Sequence, residues 1–311
     1  MIPHDLRPLF WDTNIENFNP ADYPAYTIAR VLEFGDEKAI AWLKATFSES
    51  QIVEVVRTER RLSRKSANFW ALVYNTAARR CGAPAGASLT KPSRIRSSSM
   101  TEKQEPVWHP ETIAHDVLQT IRDLQRTTLL ASFYLAGGTG LALRLGHRRS
   151  ADLDFFSVEG FSEDTLIQTL AAVTGFSVVS KAPGTLHTQI RNTKVSFLVF
   201  AYPLLFPCEA FLDIRVADPR DIACMKLNAI ASRGTKRDFI DLFAVSQKHE
   251  LQQILTWFQQ KFAAANYNVV HLLKSLTYFD DAEKDPPPDM LLPVSWEEIR
   301  RYFRREVPRL L

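Results

Sequence analysis

The stretch that decides the fold spans residues 133–156 and reads FYLAGGTGLALRLGHRRSADLDFF. A short apolar run leads into Gly137 and Gly138, where a ligand can approach the backbone without meeting a Cβ atom. We expect Thr139 to cap a helix over residues 140–145. Because the first amides of a helix have no partner within it, they suit a triphosphate. The stretch therefore predicts a phosphate-binding turn.

The end of the same stretch carries two acids, Asp152 and Asp154, in a pattern typical of a strand. Alternate side chains of a strand point to opposite faces, so both carboxylates share one face and Leu153 points to the other. Two neighbouring carboxylates can hold Mg²⁺ beside a triphosphate, and Arg148 and Arg149 would add hydrogen bonds to phosphate. An ordinary turn and a solvated strand edge would use the same residues. The order and separation of the two halves favour a nucleotidyltransferase.

Two consecutive helices are indicated further along the chain. Asp218, followed by proline, is a favourable N-cap for the first, and Lys226 lies beside its apolar stripe. The second begins at about Lys236 and carries Asp238 and Asp241 on neighbouring positions of one face. An ion pair between Lys226 and either aspartate would simply join the two helices.

Together these segments resemble the AbiEii/AbiGii family of bacterial toxins, nucleotidyltransferase-fold proteins from toxin-antitoxin and phage-defence operons. The resemblance rests on residues 133–139, 147–156, 221–230 and 233–242, and covers about residues 108–249. It implies a nucleotidyltransferase fold, Mg²⁺ and a nucleoside triphosphate as donor. Studied relatives add nucleotides to the 3′ end of tRNA, which blocks aminoacylation, although the acceptor is not uniform across the family.

The resemblance also implies roles for single residues. Lys226 would contact the triphosphate and Asp241 would support the site, while the ion-pair alternative for Lys226 remains open. The expected metal ligands are Asp152 and Asp154. The expected catalytic residues are Asp152, Asp154, Lys226 and Asp241, and the expected nucleotide-binding residues are Gly137, Gly138, Thr139, Arg148 and Ser150.

One position departs from the usual pattern. Many nucleotidyltransferases carry a third metal-binding acid on a later strand, where this chain has Ser196. Asp213 is the nearby substitute, but the alternation around it also fits the solvent face of an edge strand. The sequence leaves open a site built from two acids with Lys226 and Asp241, and also a weak or inactive catalyst.

Length and composition bound the remaining possibilities. A chain of 311 residues with 46% hydrophobic content can form two domains. Its apolar runs are too short to span a bilayer, and its start lacks the order of a secretory signal. The cysteines, Cys81, Cys208 and Cys224, lack metal or disulfide spacing. These features predict a cytoplasmic protein with reduced thiols and no membrane contact.

The expected fold class is α+β, a mixed nucleotidyltransferase sheet with helices, preceded by a small all-α domain. Residues 1–81 would form that helical domain, which resembles the short antitoxin-like proteins encoded upstream of such enzymes. Residues 82–105 are small and polar and predict a linker. Residues 106–311 would form the nucleotidyltransferase domain, with a helical C-terminal part.

Basic residues are concentrated around the predicted linker. The net charge is only +3, but residues 57–96 carry ten lysines and arginines against Glu59 alone. Such a cluster suits a phosphate backbone or an acidic partner, including DNA contacted by a helix-turn-helix, and a solvated helix face fits equally well. The aromatic and basic segment 296–305 suits either RNA or a docked helix.

The sequence therefore predicts a Mg²⁺-dependent toxin that transfers nucleotides to an RNA 3′ end, with tRNA the expected acceptor, restrained by a fused antitoxin-like domain. Two alternatives remain. Transfer to a small molecule would require an acidic substrate pocket and no basic surface. A silent regulatory protein would follow if Ser196 replaces a required ligand, and Mg²⁺-dependent nucleotide binding would argue against it.

Overall fold

The computed structural model describes residues 2–76 and 106–311. The first of these parts is helical. Asp36 Oδ1 accepts a hydrogen bond from Ala39 N at 2.9 Å, and Ser48 forms a capping box with Gln51, so local capping sets the start of two helices. The helices are α1 (Pro24–Phe34), α2 (Glu37–Thr46), α3 (Glu49–Thr58) and α4 (Arg64–Val73).

A seven-stranded mixed sheet forms the centre of the second part. Its strands are β1 (Tyr134–Leu135), β2 (Leu153–Ser157), β3 (Phe176–Ala182), β4 (Thr185–Ile190), β5 (Thr193–Val199), β6 (Glu209–Phe211) and β7 (Ile214–Val216). The spatial order is β3-β4-β5-β2-β1-β7-β6. The β2–β5 and β1–β7 pairs are parallel, and the other pairs are antiparallel. The predicted α+β fold class with a preceding all-α part is confirmed.

Eight α-helices accompany the sheet within residues 106–311. They are α5 (His115–Gln125), α6 (Gly137–Leu145), α7 (Glu163–Leu170), α8 (Pro219–Ser232), α9 (Lys236–Ser246), α10 (Leu251–Lys261), α11 (Val269–Leu276) and α12 (Trp296–Glu306). Asp218 caps α8 by accepting from Arg220 N at 2.8 Å, and Pro219 occupies the first helical position, as predicted. Thr235 caps α9.

The apolar core of the helical C-terminal part continues into the N-terminal helices. Lys274 on α11 donates to the carbonyl oxygens of Leu32 and Glu33, at 2.6 and 2.8 Å, near the C-terminus of α1. Trp70 on α4 is fully buried, and its indole donates to the same Leu32 oxygen at 2.8 Å. One core thus joins α1–α4 to α8–α12, whereas the sheet with α5 and α7 encloses a second core.

The predicted linker, residues 82–105, lies outside the described residues, as do Cys81 and the basic residues 79, 80, 91, 94 and 96. Among the described basic residues, Arg61 pairs with Glu59 at 2.6 Å, and Arg64 lies 4.0 Å from Asp280. Within residues 2–76 and 106–311, every helix is too short or too polar to span a bilayer.

Candidate active site

The start of α6 lies directly against Asp154. Gly137 has a φ of +62°, and a Cβ added there would lie 2.7 Å from Asp154 Oδ2, so glycine alone fits this backbone. Ala136 N donates to the Asp154 carbonyl oxygen at 3.0 Å, which holds the turn on the strand. The first amides of α6, which have no carbonyl partner within the helix, therefore lie beside a carboxylate-bearing strand.

Thr139 does not cap α6, so that expectation was wrong. The helix begins at Gly137 because the left-handed glycine lets the chain turn into it earlier, and Thr139 falls inside the first turn. Its side chain is 1% exposed. The hydroxyl forms a hydrogen bond with the Asp152 carbonyl oxygen and lies 2.8 Å from Ser150 Oγ. Thr139 thus fixes the segment that carries Asp152, and its nucleotide-binding role stays a prediction.

Asp152 and Asp154 open into one cavity of about 280 Å³. Both are half-buried and alternate with the fully buried Leu153 and Phe155, in agreement with the predicted strand pattern. The cavity brings together six of the predicted site residues. These are Gly138, Arg148, Ser150, Asp152, Asp154 and Lys226.

Asp241 lies behind this cavity as the centre of a buried ion network. It is 0% exposed and accepts from Arg148 Nε at 2.6 Å and Arg148 Nη2 at 2.9 Å. His147 Nε2 lies 2.8 Å and Lys226 Nζ 2.7 Å from its carboxylate oxygens. Burial alone would raise the pKa of Asp241, but the charges of Lys226 and Arg148 hold that pKa well below its usual value. Asp241 is therefore ionised at neutral pH and orients Arg148 and Lys226.

Lys226 bridges the two helices that carry the later motif. Its Nζ is 2.9 Å from Asp238 as well as 2.7 Å from Asp241, so the ion pair considered as an alternative is present. Burial acts to lower the pKa of Lys226, but the two aspartates raise it above its usual value. Lys226 also lines the cavity of the two acids. A triphosphate role for this cation stays a prediction compatible with its structural one.

The pKa of Asp154 lies above its usual value. Burial raises its pKa, the charge of Lys226 opposes that rise, and the charge of Asp152 adds to it. A cation bound between the two side chains would favour the ionised form of Asp154. No cluster of three or more His, Cys, Asp or Glu side chains suited to a metal occurs in the described parts of the chain. Two acids nevertheless fit Mg²⁺, which usually combines one or two carboxylates with substrate phosphates and water.

The position of the third acid is occupied by Ser196. It pairs with Asp154 in the parallel register of β2 and β5, and its Oγ lies 3.0 Å from His187 Nδ1 on β4. Asp213 is no substitute, because it lies exposed in the turn between β6 and β7 with a φ of +58°. The side chains next to Asp154 on the sheet are thus a hydroxyl and an imidazole.

Two further residues, Arg233 and Arg237, line the cavity and were not predicted as site residues. The Arg233 side chain is 64% exposed and pairs with Asp238 at 3.0 Å, and Arg237 is exposed at the start of α9. The signal was present in the sequence, since the two arginines flank the turn at Gly234 that separates the helices. They are the cations of this site most accessible to a polyanion.

A family model described as "Nucleotidyl transferase AbiEii toxin, Type IV TA system" matches residues 120–309. The chain belongs to this family. It is accordingly a nucleotidyltransferase of a toxin family, which confirms the resemblance found in the sequence. A second model, described as a family of unknown function (DUF6922), matches residues 6–56 of this AbiEii-family chain.

Among similar proteins, an uncharacterized protein of Aquifex aeolicus is 37% identical over 188 residues, which are 58% of this chain and 88% of that protein. The solved nucleotidyltransferase toxin MenT4 of Mycobacterium tuberculosis is 18% identical with a TM-score of 0.39 over 61% of this chain and 82% of its own. JHP933 of Helicobacter pylori is 16% identical with a TM-score of 0.37, over 64% and 93% of the two chains. Because these TM-scores are low, the family assignment rests on the family model and not on the solved structures.

Proposed function

We propose that this AbiEii-family nucleotidyltransferase uses Mg²⁺ and a nucleoside triphosphate to extend the 3′ end of an RNA, with tRNA as the favoured acceptor. One observation carries the proposal. Asp152 and Asp154 face a single cavity at the start of α6, and Lys226, Arg233 and cationic neighbours line the same cavity. A triphosphate needs this combination of acids for a metal, backbone amides and cations.

The residues that line the cavity have separate proposed roles. The first amides of α6 would bind phosphate oxygens, and Arg233 and Arg237 would offset the charge of the triphosphate. Asp152 and Asp154 would hold Mg²⁺, which when bound neutralises the triphosphate and helps to lower the pKa of the attacking hydroxyl. Asp241 keeps Lys226 cationic and in place at the cavity wall.

A neighbouring cavity of about 530 Å³ supports an RNA acceptor. It shares Asp152, Arg148, Ser150 and Arg237 with the first cavity and adds the exposed Arg149. Cationic side chains on both sides of the acids suit the phosphates that precede an RNA 3′ hydroxyl. We expect the reaction to take place in the cytoplasm, where such an acceptor is found.

The N-terminal helices would restrain the enzyme through the loop after α11. We propose residues 1–81 as an antitoxin-like restraining domain, residues 82–105 as its linker and residues 106–311 as the enzyme domain. Arg64 lies 4.0 Å from Asp280. Burial lowers the pKa of Lys65, and the charge of Asp281 opposes that fall. The same loop continues into prolines 286–288, which line the acceptor cavity. A restraint by the N-terminal helices would therefore act on this loop and through it on the cavity proposed for the acceptor. If α3 and α4 instead bind duplex DNA, the N-terminal helices have a targeting role.

The function is tested by incubating the full chain with total RNA and each labelled nucleoside triphosphate, with and without Mg²⁺. We expect label from a preferred nucleotide on small RNA, dependent on Mg²⁺ and abolished in Asp152→Ala and Asp154→Ala. The matched control is Asp213→Ala, an exposed acid on the β6–β7 turn, which should transfer normally. Absence of transfer with every nucleotide by both the unaltered protein and the variant that combines Arg64→Glu with Lys65→Glu, or full activity in both site variants, would refute the proposal.

The restraint is tested separately in the full chain. Arg64→Glu combined with Lys65→Glu should release the loop and raise the transfer rate, because both substitutions oppose the acidic loop. Arg61→Glu is the control, since Arg61 pairs with Glu59 on its own segment. Unchanged turnover in the double variant at unchanged thermal stability would show that this contact does not restrain the enzyme.

A further inference from the structure

A second neighbouring cavity adjoins the one that contains the two acids, on the side of β4 and β5. Its volume is about 360 Å³, which is of the size that holds a small organic ligand. It shares Gly138, Asp154, Lys226 and Arg233 with the triphosphate cavity. A nucleotide with its phosphates beside these four residues can extend its sugar and base into the second cavity.

The wall of this second cavity is mainly apolar and aromatic. Phe156, Leu198, Phe200 and Met225 line it, and all four are half-buried. The rings of Phe156 and Phe200 lie edge to face, with centroids 5.9 Å apart. Partly exposed aromatic rings beside a phosphate site suit stacking of a planar base. The acceptor cavity on the other side is lined by arginines, aspartates and prolines, with no aromatic side chain among its lining residues.

One polar side chain in this wall, Asn228, is positioned to form hydrogen bonds with a ligand. Asn228 on α8 lines the cavity, and its Oδ1 accepts a hydrogen bond from the hydroxyl of Tyr267. The Tyr267 ring packs on Phe258 and Phe262, with centroid distances of 5.1 and 5.4 Å. In the described part of the chain, the amide nitrogen of Asn228 has no hydrogen-bond partner. Its two N–H groups can therefore donate to a carbonyl oxygen or ring nitrogen at the edge of a base.

We propose that this cavity binds the nucleobase of the donor nucleotide, with Phe200 in contact with the base plane and Asn228 donating to its edge. The inference rests on the proposed function, because it takes a nucleoside triphosphate as the donor. In this proposal, residues at β5 and α8 recognise the base, and the cavity beside prolines 286–288 binds the acceptor.

The test compares ligands that carry a base with one that has none. Dissociation constants of the full chain are measured for the four nucleoside triphosphates and for inorganic tripolyphosphate, which carries the charge but has no base. Phe200→Ala should weaken binding of the preferred nucleotide about 5- to 140-fold, the range expected for loss of one base–aromatic contact. Tripolyphosphate should bind the variant as tightly as it binds the unaltered protein.

Three further variants make the comparison decisive. Phe200→Leu keeps the apolar bulk but removes the ring, so it should show the same selective loss if Phe200→Ala does not fold. Phe206→Ala is the matched control, because this half-buried ring lies under Arg220 and lines none of the three cavities. Asn228→Leu should reduce discrimination among the four nucleotides and leave tripolyphosphate binding unchanged.

The outcomes separate the inference from the function on which it rests. Loss of nucleotide affinity with normal tripolyphosphate affinity supports the base cavity. Equal effects on both ligands, or normal nucleotide affinity in Phe200→Ala and Phe200→Leu, would overturn the base cavity while leaving the nucleotidyl transfer intact. Failure of the unaltered protein to bind any nucleotide or tripolyphosphate would overturn the proposed function, and the base cavity with it.

Discussion

Replacing Asp241 with asparagine should strongly destabilise the protein. The substitution removes the carboxylate that accepts hydrogen bonds from Nε and Nη2 of Arg148. The remaining hydrogen bond of Arg148 runs from Nη1 to the Arg149 carbonyl oxygen at 3.0 Å. Lys226 keeps Asp238 at 2.9 Å, so the uncompensated charge is mainly that of Arg148. Leaving a buried cation without its partner typically costs about 3–5 kcal/mol. At about 2–4 °C per kcal/mol for a protein part of this size, the melting temperature should fall by about 6–20 °C.

The control for this substitution is Asp289→Asn. Asp289 pairs with Arg149 at 3.3 Å, but both side chains are more than half exposed, so its loss should cost less than about 1 kcal/mol. Thermal melts and urea unfolding of the two variants give the comparison. If Asp241→Asn melts within about 2 °C of Asp289→Asn, the buried network does not stabilise the protein as described.

The effect of Asp241 should also depend on pH in a defined direction. Its pKa in the folded protein lies well below the ordinary value of 3.8. The stability that it contributes is therefore complete above the unfolded pKa and is lost as the pH falls through the folded pKa. The difference in unfolding free energy between the unaltered protein and Asp241→Asn should stay constant between about pH 7 and 5 and shrink below pH 3.8. A difference that does not change down to pH 2 would contradict this assignment.

Three further substitutions test separate parts of the structure. Asp154→Asn should abolish nucleotide transfer with little change in melting temperature, because its half-buried carboxylate faces the cavity and not the core. Loss of the folded structure in circular dichroism would contradict this prediction. Gly137→Ala should lower transfer at least tenfold, because φ of +62° and contact with Asp154 both oppose a Cβ, and normal kinetics would exclude that strain. Lys274→Met should reduce the unfolding free energy by about 1–3 kcal/mol, since buried carbonyl groups of α1 lose a donor, and urea unfolding measures it.

The local parts of this structure could be predicted from the sequence, because their causes lie within a few residues. The alternation of Asp152 and Asp154 with buried residues follows from the period of a strand. The start of α8 follows from Asp218 and the proline after it. Thr139 was misplaced because the left-handed Gly137, which no residue type alone reveals, moved the helix start.

The partners of the buried charges could not be predicted in the same way. The phosphate role of Arg148 stays a prediction, but no local pattern pointed to Asp241, 93 residues later, which accepts hydrogen bonds from its Nε and Nη2. Lys274 meets the end of α1 across 242 residues. Apolar stripes and charge patterns show that a helix face is buried, but they do not show which surface covers it. The side chains around Ser196 depend likewise on strand order, which brings β2, β5 and β4 together.

The core that continues from α8–α12 into α1–α4 has a consequence for proteolysis. A protease that cut the chain between residues 76 and 106 would remove the covalent connection and leave Trp70 and Lys274 in their buried contacts. The two fragments should then co-purify and separate only in denaturant. We therefore expect that chain cleavage alone would not free the enzyme of its N-terminal helices, which would stay bound as a separate chain.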